Sequence, residues 1–170
     1  MNIGYVVYHE YARLPIHTVE VVDALAAQGH QVTVVTAVDP QFLLGLGWAG
    51  KVDVRQVPIV NRAGWRMLSF AWGLWRRLPA LVRATAPDAL YERMALTTPL
   101  TCWVARRLKR PLIVEVNGIV EDELRLSHAP WWRRWLQHRV EQAVFTGASH
   151  CIAVTEGIRQ ALAKHADIDE

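Results

Sequence analysis

A chain of 170 residues, 52% of them hydrophobic and 21% charged, is long enough for one folded domain with a sizeable core and short of two. Its net charge of +3 gives no global argument for a nucleic-acid partner, so any basic patch has to be local. Cys102 and Cys151 lack metal-site spacing and sit in apolar segments, which reads as buried thiols in a reducing compartment.

The N-terminal stretch MNIGYVVYHEY has no basic start, long apolar core or cleavage site of a secretory signal. Residues 2–8 open instead as a buried strand. Residues 16–29 carry apolar side chains at helical spacing and stop at Gly29, a C-terminal glycine signal. HQVTVVTA (30–37) is a second strand, and a loop region with Asp39, Pro40 and glycines 45, 47 and 50 follows it. VDVRQVP (52–58) alternates apolar and polar, as a strand with one less buried face does. A long helical region, 63–85, contains Pro79, where a kink or restart is expected. No run reaches the ~18 apolar residues of a membrane span, and the nearest, LSFAWGLWRRLPALV, is broken by Arg76 and Arg77. The chain is therefore expected in the cytoplasm, lying on a membrane face at most.

The second half continues the alternation. PDALYER (87–93) is a short strand. TTPLTCWVARRLKR (97–110) starts with threonine and proline, a helix N-terminus signature. PLIVEV (111–116) is a strand with its proline at the start, where a missing N–H is tolerated. A basic, tryptophan-rich helix over about 130–146 has an apolar stripe at 132, 136, 140, 143 and 144. HCIAVT (150–155) is the last strand, and Thr155 caps a helix over 156–165. Six strands, each followed by helix or loop, imply right-handed crossovers and a Rossmann-like, doubly wound parallel sheet with helices on both faces. Ligands in such α/β sheets bind beyond the carboxyl ends of the strands, here at 8–17, 37–40, 92–99, 116–123 and 155–157.

Several chemistries lack their motifs. The turn after the first strand, HEYARLPIH, holds no glycine for close approach to a pyrophosphate. No P-loop, G-x-S-x-G elbow, H-x-x-x-H or C-x-x-C is present, so no metal or resident cofactor is expected.

Four stretches carry a resemblance: LPIHTVEVVDALAAQGHQVTVVT (14–36), APDALYERM (86–94), RPLIVEVNGIVEDE (110–123) and ASHCIAVTEGIRQAL (148–162). In this order and spacing the chain resembles the N-terminal half of a family 4 (group 1) glycosyltransferase with the two-domain B-type fold. The resemblance spans nearly the whole chain. It implies a retaining transfer of sugar from a nucleotide-sugar to a glycan or lipid-linked acceptor. The acceptor would sit mainly on this domain. A C-terminal domain, expected to be absent from these 170 residues, would hold the nucleotide and clamp its diphosphate, so the piece alone is expected to be inactive. The nucleotide-sugar would be a substrate rather than a cofactor. Cell-envelope or polysaccharide synthesis is the implied setting. A stand-alone binding module that pairs with a separate catalytic subunit is the alternative from another class, and an inverting B-type transferase is a weaker third.

The same resemblance, with strand position, selects the site. The family's Gly-Gly pair is replaced near Ala12 and Arg13, and Arg13 is expected to meet a phosphate through its side chain. His17 matches a histidine common after the family's first loop and would contact donor or acceptor. Many members carry a histidine where Asn117 stands. An amide cannot titrate, so Asn117 would hold a sugar hydroxyl and not move a proton. Asn-Gly is also a common turn pair, which is the plain reading of Asn117 and Gly118. Glu92 and Arg93 end a strand, either as a local ion pair or as acceptor ligands. The period of two puts Glu115 on the side of Asn117, with Arg93 as a partner for its charge. Glu156 follows the last strand and could face the cleft. Glu121, Asp122 and Glu123 read as the first turn of a helix, where acids favour the dipole.

Six of the eight tryptophans lie in two arginine-rich segments. Trp65, Trp72, Trp75, Arg76 and Arg77, with Trp131, Trp135, Arg133 and Arg134, are candidates for peripheral membrane contact at headgroup level. The plain reading makes the tryptophans core and the arginines a solvated rim.

Overall fold

The structure, a computed structural model, describes residues 1–8, 14, 16–46, 48, 51–62, 65–120, 124 and 126–166. Its elements run β1 (Asn2–Val7), α1 (Ile16–Ala27), β2 (Gln31–Thr36), a 3-10 helix (Pro40–Leu46), β3 (Val52–Gln56), α2 (Trp65–Thr85), β4 (Ala89–Arg93), α3 (Thr98–Arg107), β5 (Leu112–Val116), α4 (Trp131–Phe145), β6 (His150–Ala153) and α5 (Glu156–Ala166). All pairings are parallel, in the order β3-β2-β1-β4-β5-β6. The expected doubly wound sheet is present. The chain steps outward from β1 to β3, then α2 carries it back over the sheet to β4 on the other side of β1.

Strand pleating divides the core. Val6, Leu90, Leu112, Val114 and Val116 point to one face, where Phe70, Leu74, Leu78 and Val82 of α2 pack with Cys102 and Val104 of α3 and Val144 and Phe145 of α4. Tyr5, Val7, Val32 and Val34 point to the other, against Val22 of α1, Leu43 and Trp48. Trp48 can be buried there because its Nε1 donates to Asp23 Oδ1 at 2.6 Å. β3 and β6, the edge strands, are correspondingly less buried.

Local signals explain most boundaries. Gly29 has φ +82°, and its N–H bonds Ala26 O at 3.0 Å while His30 N–H bonds Leu25 O at 3.1 Å. That pair of reversed bonds is the Schellman closure, which favours glycine at the left-handed position. Thr155 Oγ1 accepts the Ile158 N–H at 3.3 Å and caps α5.

Two expectations change. α2 runs through Pro79 with no restart. Leu78 before it and Val82 after it are both buried in one stripe, so packing holds both halves against the sheet. On α4 the buried residues are Gln137, Glu141, Val144 and Phe145; of the expected stripe at 132, 136, 140, 143 and 144 only Val144 is buried, and Trp132 and Leu136 are each 53% exposed. Glu141 tolerates burial because its Oε1 accepts the Val120 N–H at 2.8 Å and Gln137 Nε2 at 3.0 Å.

Replacing Gly29 by alanine forces a Cβ into a left-handed backbone with nothing within 4 Å to blame on crowding. The cost is conformational, about 1 kcal/mol, and a calorimetric or optical melt should show Tm lowered by roughly 2–4 °C.

Candidate functional site

The sheet order reverses between β1 and β4, so the crossovers leaving these two strands diverge and a crevice is left at their carboxyl ends. Beside it a cavity of about 460 Å³ is lined by Tyr8, Arg93, Met94, Ala95, Leu96, Asn117, Gly118, Val120 and Gln137. Strand ends supply its polar groups: Arg93 closes β4, and Asn117 and Gly118 follow directly on β5. Ile119 is buried beneath, and Glu141 on α4 grips the backbone at Val120. The loop is thus fastened on both sides of Gly118.

The Asn117–Gly118 step is not a left-handed turn. Among the described glycines only Gly29 has positive φ. Glycine's freedom is therefore not what this position uses. Asn117 Nδ2 is buried and has no hydrogen-bond partner among the described residues. A buried amide donor left open costs free energy, and one lining a cavity is placed to serve a ligand.

Glu115 does not join Asn117 in that cavity. Its carboxylate, 2% exposed, turns to α1: Tyr91 Oη donates to Oε2 at 2.7 Å and His17 Nε2 lies 3.0 Å from Oε1. The His17 approach is at ion-pair distance but outside good hydrogen-bond geometry. Tyr91 stacks on Tyr5, centroids 4.9 Å apart, and burial with the Glu115 hydrogen bond pushes its phenol far up. Burial chiefly, with the charge of Glu115, pushes Tyr5 up to about 12. The partners of Glu115 are therefore Tyr91 and His17. Arg93, expected in that role, is its neighbour in strand register but makes no ion pair with it. His17 keeps 46% of its side chain exposed at the start of α1.

Glu92 points through the opposite face of the sheet and is fully buried, so it is no ligand of an acceptor. Neither carboxyl oxygen has a hydrogen-bond partner of good geometry. Burial lifts its pKa to about 8, partly offset by the hydroxyls of Thr101 and Thr98. Burial thus favours the neutral acid of Glu92 over its carboxylate. Glu156 is exposed and bound along its own helix, to Arg159 Nε at 2.9 Å and Nη2 at 2.8 Å and to Gln160 Nε2 at 3.1 Å. The hydrogen bond from Arg159 lowers its pKa. Arg13, Glu121, Asp122 and Glu123 lie outside the described residues.

The tryptophan-arginine segments are external. Trp65, Trp72 and Trp75 are 61%, 60% and 46% exposed, and Trp131 and Trp135 are 72% and 59% exposed, so the core reading of these rings fails. Arg76, Arg77 and Arg133 are exposed and Arg134 is half-buried. α2 and α3 enclose a groove lined by Trp75, Arg76, Pro79, Arg83, Trp103 and Arg107, with the Arg107 guanidinium 5.6 Å above the Trp103 ring. Trp103 on α3, in this groove, and Trp132 on α4 are exposed as well and were not among the candidates.

Sequence reasoning also passed over Tyr91, Gln137 and Glu141. Parity along β4 signals Tyr91, which shares a face with Arg93. Nothing local marks two polar residues on α4 as buried.

The family model described as "Glycosyl transferase 4-like domain" matches residues 15–169. No curated protein sequence matches the chain. Among solved structures, UDP-GlcNAc 2-epimerase from Neisseria meningitidis bound to UDP-GlcNAc superposes with TM-score 0.67 at 14% identity, covering 99% of this chain and 44% of that one. UDP-GlcNAc 2-epimerase from Methanocaldococcus jannaschii gives 0.65 at 13%, covering 99% and 43%. MurG from Acinetobacter baumannii gives 0.57 at 14%, covering 91% and 41%. Identity this low shows the fold alone, and the chain spans less than half of each of these proteins.

The raised pKa of Glu92 makes stability depend on pH. The unfolded chain ionises near 4.5 and the folded one near 8. Its full contribution is present below the lower value and is lost as pH rises to the upper one. Wild-type Tm should fall between pH 5 and 8, and Glu92→Gln should flatten that fall, so that the variant compares better with wild type at pH 8 than at pH 5. Thermal melts at the two pH values measure this.

Proposed function

The chain belongs to the glycosyl transferase 4-like family, and we propose that it is the acceptor-binding half of a retaining glycosyltransferase that moves a sugar from a nucleotide-sugar to a glycan or lipid-linked acceptor. The observation that carries this reading is the cavity at the ends of β4 and β5, where Asn117 holds out an unused amide donor beside Arg93. Sugars are bound by such neutral, directional donors set among apolar walls.

The chemistry assigned to these residues is modest. The acceptor oxygen forms a bond to the anomeric carbon as the bond to the diphosphate breaks, and the acceptor proton passes to the departing phosphate oxygen. Asn117, which cannot take a proton, orients a sugar hydroxyl. His17, anchored on Glu115 at 3.0 Å, is exposed enough to reach the same crevice from α1. The nucleotide would be held by a second domain across the cleft. A solved structure of this fold with UDP-GlcNAc bound supports a nucleotide-sugar as the donor class.

A lipid-linked acceptor also suits the outer surface. No described helix is long and apolar enough to cross a membrane. The exposed tryptophans of α2 and α4, flanked by Arg76, Arg77 and Arg133, suit headgroup depth instead.

In an enzyme with both halves, Asn117→Ala should lower transfer roughly tenfold or more, the worth of one well-placed hydrogen bond in a dry site, with Tm little changed. Initial rates against a nucleotide-sugar panel measure it, and an unchanged rate removes Asn117 from the reaction. Co-sedimentation with vesicles containing anionic lipid should capture the chain at low salt and release it as salt rises. No capture at low salt would end the membrane reading.

A further inference from the structure

Arg93 is the one charged side chain among the described residues that line the cavity at the ends of β4 and β5. It is half-buried. No carboxylate among the described residues lies within ion-pair distance of it. Strand register sets Glu115 directly beside it, yet the Glu115 carboxylate turns to α1, where Tyr91 Oη donates to Oε2 and His17 lies at ion-pair distance from Oε1. Glu92, the preceding residue, projects through the opposite face of the sheet. Glu141 Oε1 is held by Val120 N–H and Gln137 Nε2. Among the described residues the fold therefore brings a guanidinium to a cavity and turns the neighbouring carboxylates, Glu92, Glu115 and Glu141, away from it.

A partly desolvated cation without a counter-charge is costly, and a planar guanidinium matches an oxyanion with two parallel hydrogen bonds. The rest of the lining is consistent with one ligand. Asn117 Nδ2 is a buried donor without a partner among the described residues. Gln137 has its amide nitrogen committed to Glu141, which leaves its carbonyl oxygen as the group it offers, an acceptor for a hydroxyl. Met94, Leu96 and Val120 supply apolar wall for the carbon face of a ring.

We infer that this cavity selects an acidic acceptor: a sugar unit bearing an oxyanion, carboxylate or phosphate, that pairs with Arg93 while Asn117 and Gln137 hold its hydroxyls. The inference rests on the acceptor-binding reading above and narrows it from any glycan to an anionic one.

Binding to the 170-residue chain tests it without requiring transfer. Glucuronate and glucose 6-phosphate are titrated against neutral glucose at matched ionic strength, with side-chain N–H signals of Arg93 and Asn117 followed by NMR. The acidic probes should move both signals and bind roughly tenfold more tightly than glucose. The tighter of the two acids tells a carboxylate site from a phosphate site. Arg93→Gln should abolish the preference for acids. Arg93→Lys should keep part of it, because the charge stays and the fork is lost, and a folded lysine variant covers the case where the glutamine variant does not fold. Arg83→Gln, on the surface of α2 away from the cavity, should leave the preference intact.

Equal binding of acidic and neutral probes, no response of the cavity to any acid, or a preference that survives Arg93→Gln overturns the inference. Acid-selective binding in a protein whose complete form transfers no sugar would leave the inference standing and sink the transferase reading instead.

Discussion

The pairing of β1 with β4 is the constraint on which the rest depends. The two strands are brought side by side across the whole of α1, β2, β3 and α2, and their amino ends are locked: Asn2 N–H donates to Asp88 Oδ2 at 2.8 Å, and Asp88 N–H donates to Asn2 O at 2.7 Å. The Asn2 side chain adds a bond to the carbonyl of Thr85 at the end of α2. With that end closed, the divergence of the crossovers can appear only at the other end. The crevice there is a result of topology, before any side chain is considered. What the side chains decide is which polar groups line it.

Three buried carboxylates show how that decision is made. Each faces the same penalty for leaving water, and each meets it differently. Glu115 keeps partners of its own, Tyr91 and His17, and so ties α1 to β5. Glu141 binds a backbone N–H and fixes the loop that presents Asn117. Glu92 has no such partner, and its burial favours the neutral acid. Because the first two are committed, Arg93 and Asn117 are left with their hydrogen-bonding capacity directed outward. The character of the cavity follows from how the interior charges are satisfied, as much as from the groups that line it.

The elements were legible from the sequence because their signals are local. Gly29 ends α1, Thr155 starts α5, and valine-rich runs give the inner strands. Strand position put Asn117 and Arg93 at the carboxyl edge of the sheet, and both line the cavity there. Side-chain direction was less legible. Parity placed Glu115 with Asn117, but β5 stops at Val116 and the pleat stops with it. Polar burial was not legible at all: Gln137 and Glu141 are buried because a loop N–H and a neighbouring amide satisfy them, and that is a tertiary fact. Trp132 and Leu136 were assigned to the core by hydrophobicity and lie outside it for the same reason, since the satisfied polar pair took the inward face.

The helices also separate charge across the sheet. α1, on one face, carries Glu20 and Asp23 and neither lysine nor arginine. α2 and α3, on the other, carry Arg66, Arg76, Arg77, Arg83, Arg106 and Arg107 and no carboxylate. A net charge of +3 conceals this arrangement. On these three helices the charge is one-sided, and near a negatively charged surface such a distribution experiences a torque as well as a pull. Were the chain to approach such a surface, these helices alone would favour an orientation with α2 and α3 toward it within a Debye length, about 10 Å at 0.1 M salt. In that orientation the strands would lie along the surface and the crevice at their ends would open sideways, parallel to it.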